Sequence, residues 1–218
     1  MKEQQNSICI LMKGSSLEFF SNDAELHNEI ILVSDFEDEL KIVKNKLKGK
    51  NITHFVNRSL NARLTSRSYK DLKIKKIQLS VKFSLKDWRL LRKYIYLKLK
   101  HPHIEVRCLP GNFNWEYLKF PEEFKNKFPN TGVLTILYAV KELKIKNIYM
   151  YGLDFYKAPY LTEQTISPNL TLEQQAGKIE KLNIIEYLIN FMKDNPKTNF
   201  YIKSYYTEWP NANNIILL

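Results

Sequence analysis

The stretch "KIKNIYMYGLDFYKAPY" (144–160) runs an apolar strand, Asn147 to Tyr151, into Gly152, then Asp154, then a loop carrying Tyr156 and Tyr160. Gly152 suits a tight exit from a sheet, because glycine reaches backbone conformations that other residues avoid. The same position suits a ligand, since open α/β sheets bind substrates beyond the carboxyl ends of their strands. "ICILMKGSS" (8–16) follows the same plan, an apolar strand and then Gly14, Ser15 and Ser16. Such a turn entering a helix could present N–H groups and hydroxyls to a phosphate, and a plain strand-to-helix turn has the same composition. The GxGxxG spacing of a dinucleotide site is absent. "NTGV" (130–133) is a third instance. Asn130 and Thr131 are good helix caps, and Gly132 in the first turn lets a ligand or backbone approach closely. An ordinary capped helix fits these residues equally.

Other chemistry is sparse. The four histidines, His27, His54, His101 and His103, have neither the spacing nor the carboxylate context of a zinc site. "DFED" (35–38) could serve a metal-dependent sugar-nucleotide site, but it reads better as the acidic first turn of a helix. No GxSxG, P-loop or Cys/His nucleophile arrangement occurs.

These residues need elements to position them. Short apolar runs at 7–12, 29–34, 52–57, 75–83, 103–109, 147–151 and 199–204 read as strands. Helical spacing between them predicts helices within 36–47, over 84–100 with Ser84 as cap, over 131–145, and over 178–194. The Pro- and aromatic-rich 110–130 takes no firm assignment. Strand alternating with helix argues for a parallel sheet.

Composition narrows the class. At 218 residues with 44% hydrophobic and 26% charged residues, the chain can bury a real core, which excludes a disordered polymer. A net charge of +11 attracts nucleic acid, anionic lipid or a phosphorylated small molecule. No nucleic-acid motif is recognisable, so no nucleic-acid partner is expected. Cys9 and Cys108 sit in apolar runs without a CxxC and read as buried thiols of a reducing compartment. The opening "MKEQQNSICILM" is too short in apolar residues for a signal peptide or a membrane span. The expectation is a cytoplasmic protein, peripheral on the inner face of the cytoplasmic membrane, with the apolar C-terminus "NNIILL" against anionic lipid.

Taken in order, four segments resemble the bacterial sialyltransferases of glycosyltransferase family 42, which act on lipooligosaccharide. "NTGVLTILYAVKELKIKNIYMYGLDFY" is similar to the family's Thr-Ser-Gly-Val helix start and its strand ending Gly-Ile-Asp-Phe-Tyr. "ICILMKGSSL" resembles its strand plus Gly-Asn-Gly-Pro-Ser-Leu, "ILVSDF" its Cys-Asn-Gln-Phe, and "HFVNRS" its Phe-Tyr-Asn-Pro-Ser. The resemblance implies an α/β fold, a Rossmann-like α/β/α sandwich with a mostly parallel sheet, in a variant single-domain glycosyltransferase A-like form over residues 1–218. It implies transfer of sialic acid, or a related nonulosonic or ulosonic acid, from a CMP-sugar donor to a glycan or glycolipid hydroxyl. No metal or other cofactor is expected, and a homo-oligomer is compatible. Gly14, Ser16, Ser34, Asn57, Thr131, Gly132 and Asp154 would then line the donor, with Lys13 replacing an asparagine. Tyr156 and Tyr160 would be the catalytic pair whose hydroxyls help the phosphate leave.

Two departures stand out. The family's base histidine aligns with Ala176, and no histidine follows His103. The family's arginine before the helix start falls at Phe128, beside Lys127. A relocated base at Glu173, His101 or His103 is one reading, and a sugar-nucleotide-binding homologue without activity is another.

Overall fold

The computed structural model describes residues 6–57, 63–111, 130–155, 172–181 and 183–218. Its strands are β1 (Ser7–Leu11), β2 (Glu29–Val33), β3 (Asn51–Val56), β4 (Lys76–Lys82), β5 (Glu105–Leu109), β6 (Asn147–Tyr151), β7 (Asn199–Lys203) and β8 (Ile215–Leu217). Its α-helices are α1 (Phe20–Asp23), α2 (Leu40–Leu47), α3 (Ser66–Asp71), α4 (Trp88–Lys100), α5 (Thr131–Lys141), α6 (Leu172–Lys181) and α7 (Ile184–Lys193). Short 3-10 turns flank α1 at Ser15–Phe19 and Ala24–Leu26.

All eight strands join one sheet in the order β5-β4-β3-β2-β1-β6-β7-β8, and every strand pair is parallel. Both faces of a parallel sheet are covered, so its central strands read as unbroken apolar runs, as "SICIL" and "EIILV" do. Alternate side chains of β1 feed two cores. Ile8, Ile10 and Met12 pack with α5 and α7 on one face. Cys9 and Leu11 pack with Phe20, α2, Tyr69 and α4 on the other. This is a Rossmann-like α/β/α sandwich.

The chain runs outward from β1 to β5, then returns through α5 to β6 on the other side of β1. That reversal is a topological switch point, and the ligand crevice of a doubly wound fold lies at such a point, here outside the carboxyl ends of β1 and β6. No helix among the described residues is long and apolar enough to cross a membrane.

The structure corrects several boundaries. The helix expected over 178–194 is two helices, broken at Asn183 with φ of 48°. Asp87, not Ser84, caps α4, accepting from the Leu90 N–H at 3.1 Å. "DFED" lies in the turns before α2 rather than in its first turn. There Glu37 accepts from the Thr65 N–H at 2.8 Å and the Ser68 hydroxyl at 2.6 Å, fastening the start of α3. Segment 215–217, read as a free apolar end, is strand β8 pairing with β7, and Ile215 is buried.

Candidate functional site

The turns after β1 and β6 meet at the crevice. Met12 N–H donates to Tyr151 O at 2.8 Å and Gly14 N–H to Gly152 O at 3.0 Å, so the two strands stay paired beyond their ends. At this closeness a side chain has no room. A Cβ on Gly14 would lie 2.3 Å from Asp154 Oδ2, and one on Gly152 would lie 2.3 Å from Met12 O. Gly152 also has φ of +79°, the left-handed region where glycine carries no steric cost.

Asp154 ties the rim together. Its Oδ2 accepts from the Ser16 N–H at 2.9 Å, and its Oδ1 accepts from the Ser16 hydroxyl at 2.6 Å and the Tyr205 N–H at 2.9 Å. The Ser204 hydroxyl lies 3.0 Å from the same Oδ1 and 2.7 Å from Leu153 O, with one proton for the two. Ser16 Oγ in turn accepts from the Gly152 N–H at 3.0 Å. Asp154 and the Ser16 hydroxyl, both expected at the donor, are thus committed to one another and to the exits of β1, β6 and β7. Phe155 follows with φ of 48°, a strained value for an aromatic residue. Its ring packs on Tyr206 and Trp209, with centroids 5.3 and 5.6 Å away. Tyr156 and Tyr160 lie outside the described residues, as do Phe128 and Lys127.

The start of α5 closes the crevice from one side. Asn130 Oδ1 accepts from the Val133 N–H at 2.9 Å and caps the helix. Gly132 is so close to β1 that a Cβ there would sit 2.8 Å from Met12 Sδ. The N–H groups of Thr131 and Gly132 have no partner within their own helix, and the helix dipole adds partial positive charge at the same end. Thr131 O accepts the Thr135 hydroxyl at 2.8 Å, one turn on.

Ser34 and Asn57 follow β2 and β3 on the same rim. Ser34 has φ of 67°, an uncommon conformation outside glycine. Its carbonyl lies 2.6 Å from His54 Nε2, while His54 Nδ1 lies 2.8 Å from the Tyr69 hydroxyl. A carbonyl only accepts, so Nε2 carries the proton and the Tyr69 O–H donates to Nδ1. Burial holds this imidazole neutral, its pKa pushed down to about 3. Asn57 O accepts from Lys93 Nζ at 2.6 Å. Burial first, then the Arg63 charge, bring that amine down to about 7, and Asp35 opposes the shift. Lys13 reaches Glu39 at 3.9 Å.

His54 makes a prediction about acid stability. Its folded pKa lies below the unfolded value, so the unfolded chain takes up a proton first as pH falls. The stability it contributes is complete above pH 6.5 and is lost on acidification toward about 3. His27, also lowered chiefly by burial, acts with the same sign. His54→Gln should therefore remove up to about 1.4 kcal/mol per pH unit from the acid slope, read by urea unfolding across that range. An unchanged slope would contradict the buried neutral imidazole.

Sequence reasoning missed Lys93 and His54. Lys93 looked like one more lysine of a basic run, although its spacing with Leu90 and Leu97 places it on the inward face of α4. Of the three base candidates, His101 and His103 lie between α4 and the amino end of β5, on the opposite rim from the crevice. Glu173 is exposed on α6, three residues before the half-buried Ala176. Among the described residues no group of three His, Cys, Asp or Glu is placed to hold a metal ion.

Fold and site together define an open Rossmann-like sandwich of parallel strands, with the candidate site on the rim at the switch point of β1 and β6. Among solved structures, the sialyltransferase CST-II in complex with a trisaccharide acceptor and CMP has this architecture. The match covers 97% of this chain and 85% of that one, with a TM-score of 0.56 and 20% sequence identity. At that identity the likeness establishes the fold. No family model matches the chain, and no curated protein matches it.

Proposed function

We propose that this protein is a glycosyltransferase that moves a sialic-acid-type sugar from a CMP donor to a hydroxyl of a glycan acceptor. The observation that carries this reading is the gathering of Gly14, Ser34, Asn57, Thr131 and Gly132 on one rim, at the switch point outside the closely packed exits of β1 and β6. The similar solved structure, crystallised with CMP and a trisaccharide acceptor, supports it.

The rim suits an anionic leaving group. The N–H groups of Thr131 and Gly132, with the dipole of α5, meet a phosphate without a side-chain cation. In the reaction the acceptor oxygen bonds to the anomeric carbon while the bond from that carbon to the CMP oxygen breaks. Negative charge grows on the phosphate, and the phenols of Tyr156 and Tyr160 donate to it. A base takes the acceptor proton. The topology places both histidine candidates on the far rim, which leaves Glu173 as the group to test.

Two measurements decide the matter. A thermal-shift screen with CMP, CDP, UMP, UDP and a short oligonucleotide should show CMP-selective stabilisation. Salt-sensitive oligonucleotide binding with no CMP effect would sink the reading. CMP release from CMP-sialic acid should fall at least about a hundredfold in Tyr156→Phe, and equal rates would remove Tyr156 from the mechanism. Since no histidine follows His103, CMP binding without any CMP release would favour a binding homologue instead.

A further inference from the structure

We propose that the outer face of α4 is a docking surface for an anionic membrane. Leu90, Lys93 and Leu97 of this helix are buried against the sheet. Directly opposite run Trp88, Arg92, Ile95 and Leu99, at the i, i+4, i+7 and i+11 spacing of a single stripe. Trp88 is 63% exposed, Ile95 46% and Leu99 78%, and the lead-in adds Phe83 at 50% and Leu85 at 73%. Five of the ten exposed large apolar residues described thus fall between residues 83 and 99, and the Phe83 ring meets that of Tyr94 on the helix at 5.5 Å. Singly exposed apolar residues are ordinary, whereas a contiguous patch marks an interaction surface.

Basic residues border the stripe. Lys86 precedes it, Arg89, Lys98 and Lys100 flank it, and no acidic residue lies between Trp88 and Lys100. Aromatic rings hold several of these cations along its edge. The Arg92 guanidinium sits 5.4 Å from the Trp88 ring centroid, Lys98 Nζ 5.8 Å from that of Tyr94, and Lys100 Nζ donates to the Tyr96 hydroxyl at 2.7 Å. An apolar centre with an aromatic residue and a cationic border is the pattern of a helix lying in a lipid interface. The aliphatic side chains enter the acyl boundary, and the cations meet headgroup phosphates.

Charge chooses among occupants. Two copies pairing face to face would set the same cations against each other, with no acid on the helix to offset them. Nucleic acid would match the charge, and Trp88 could stack on a base, but the aliphatic Leu85, Ile95 and Leu99 would gain nothing from a polyanion and would stay in water. An anionic headgroup layer over acyl chains matches both halves of the patch. The membrane contact expected at the C-terminal run thus moves to α4, because Ile215 is spent on β8. The surface rests on α4 alone and does not depend on the transferase reading.

Flotation with phosphatidylcholine vesicles containing about 30 mol% phosphatidylglycerol tests the proposal, with no sugar donor involved. The protein should float with these vesicles at low salt, remain behind with pure phosphatidylcholine, and detach at about 0.5 M salt. The triple variant Trp88→Ser, Ile95→Ser, Leu99→Ser should lose at least about tenfold in partitioning while keeping its melting temperature, since all three side chains are exposed. Leu26→Ser with Leu217→Ser, exposed elsewhere, should float like wild type. Failure of the wild type to float, or equal loss in both variants, overturns the proposal. So does oligonucleotide binding, or a dimer, that the triple variant abolishes while flotation is unchanged.

Discussion

Gly152→Ala is expected to lower the free energy of unfolding by about 4 kcal/mol, because two costs fall on one methyl group. The residue has φ of +79°, and a Cβ there would lie 2.3 Å from Met12 O and 2.6 Å from Met12 C. Those are backbone atoms of the strand exit beside it, so they cannot swing aside as a flexible side chain would. Gly49 separates the two costs. It has the same φ of +79° with nothing within 4 Å of its would-be Cβ, so Gly49→Ala bears only the conformational term, about 1 kcal/mol. Urea unfolding of the two variants reads the difference directly. For a chain of this size the Gly152 variant should melt about 10 °C lower. If both variants lose the same amount, the close approach of the β1 and β6 exits is wrong. The same substitution should weaken the stabilisation by CMP expected of the proposed function, since the candidate site lies just outside those exits.

Asp154→Ala should cost about 4 kcal/mol, and Asp154→Asn about half as much. The carboxylate takes the Ser16 N–H, the Ser16 hydroxyl and the Tyr205 N–H at 2.6–2.9 Å, with the Ser204 hydroxyl beside them. Removing it strands buried donors, each worth about 1–3 kcal/mol when left unmade, though not additively. Asparagine keeps one oxygen for the cluster at Oδ1 but turns an NH2 toward the Ser16 N–H, donor against donor. The graded order is the discriminating result. If Asn behaves as Asp in unfolding, the Oδ2 bond to Ser16 contributes nothing. If Ala also matches Asp, the rim is not held by this residue. Because Asp154 fixes the turns on which the proposed donor site rests, both variants should also weaken the stabilisation by CMP expected of that site, Ala more than Asn.

Much of the scaffold is legible in the residues, for a local reason. A parallel strand covered on both faces must be apolar throughout, so "SICIL", "EIILV" and "NIYMY" announce themselves, and the helices between them show their period. Where local signals weaken, the reading fails. β8 is three residues long at a sheet edge and looks like a tail until β7 supplies its partner. The break at Asn183 sits inside a continuous helical period, so periodicity alone carries one helix through it.

The site divides in the same way. Gly14, Gly152 and Gly132 could be picked out from the sequence, because a glycine at a strand exit or helix start has few other uses. What they make room for could not. Ser16 and Asp154 are 138 positions apart, and their bonding appears only when β1 and β6 lie side by side. Lys93 and Lys98 are the same residue type in one basic run, and only the docking of α4 turns one inward to Asn57 and leaves the other at the surface. By itself the sequence determined the alternation of strands and helices and the places where the backbone needs no side chain, since these depend on neighbours a few residues away. The tertiary structure decided which polar groups are spent on one another and which rim gathers the rest, because those contacts depend on strand order, which no local pattern encodes.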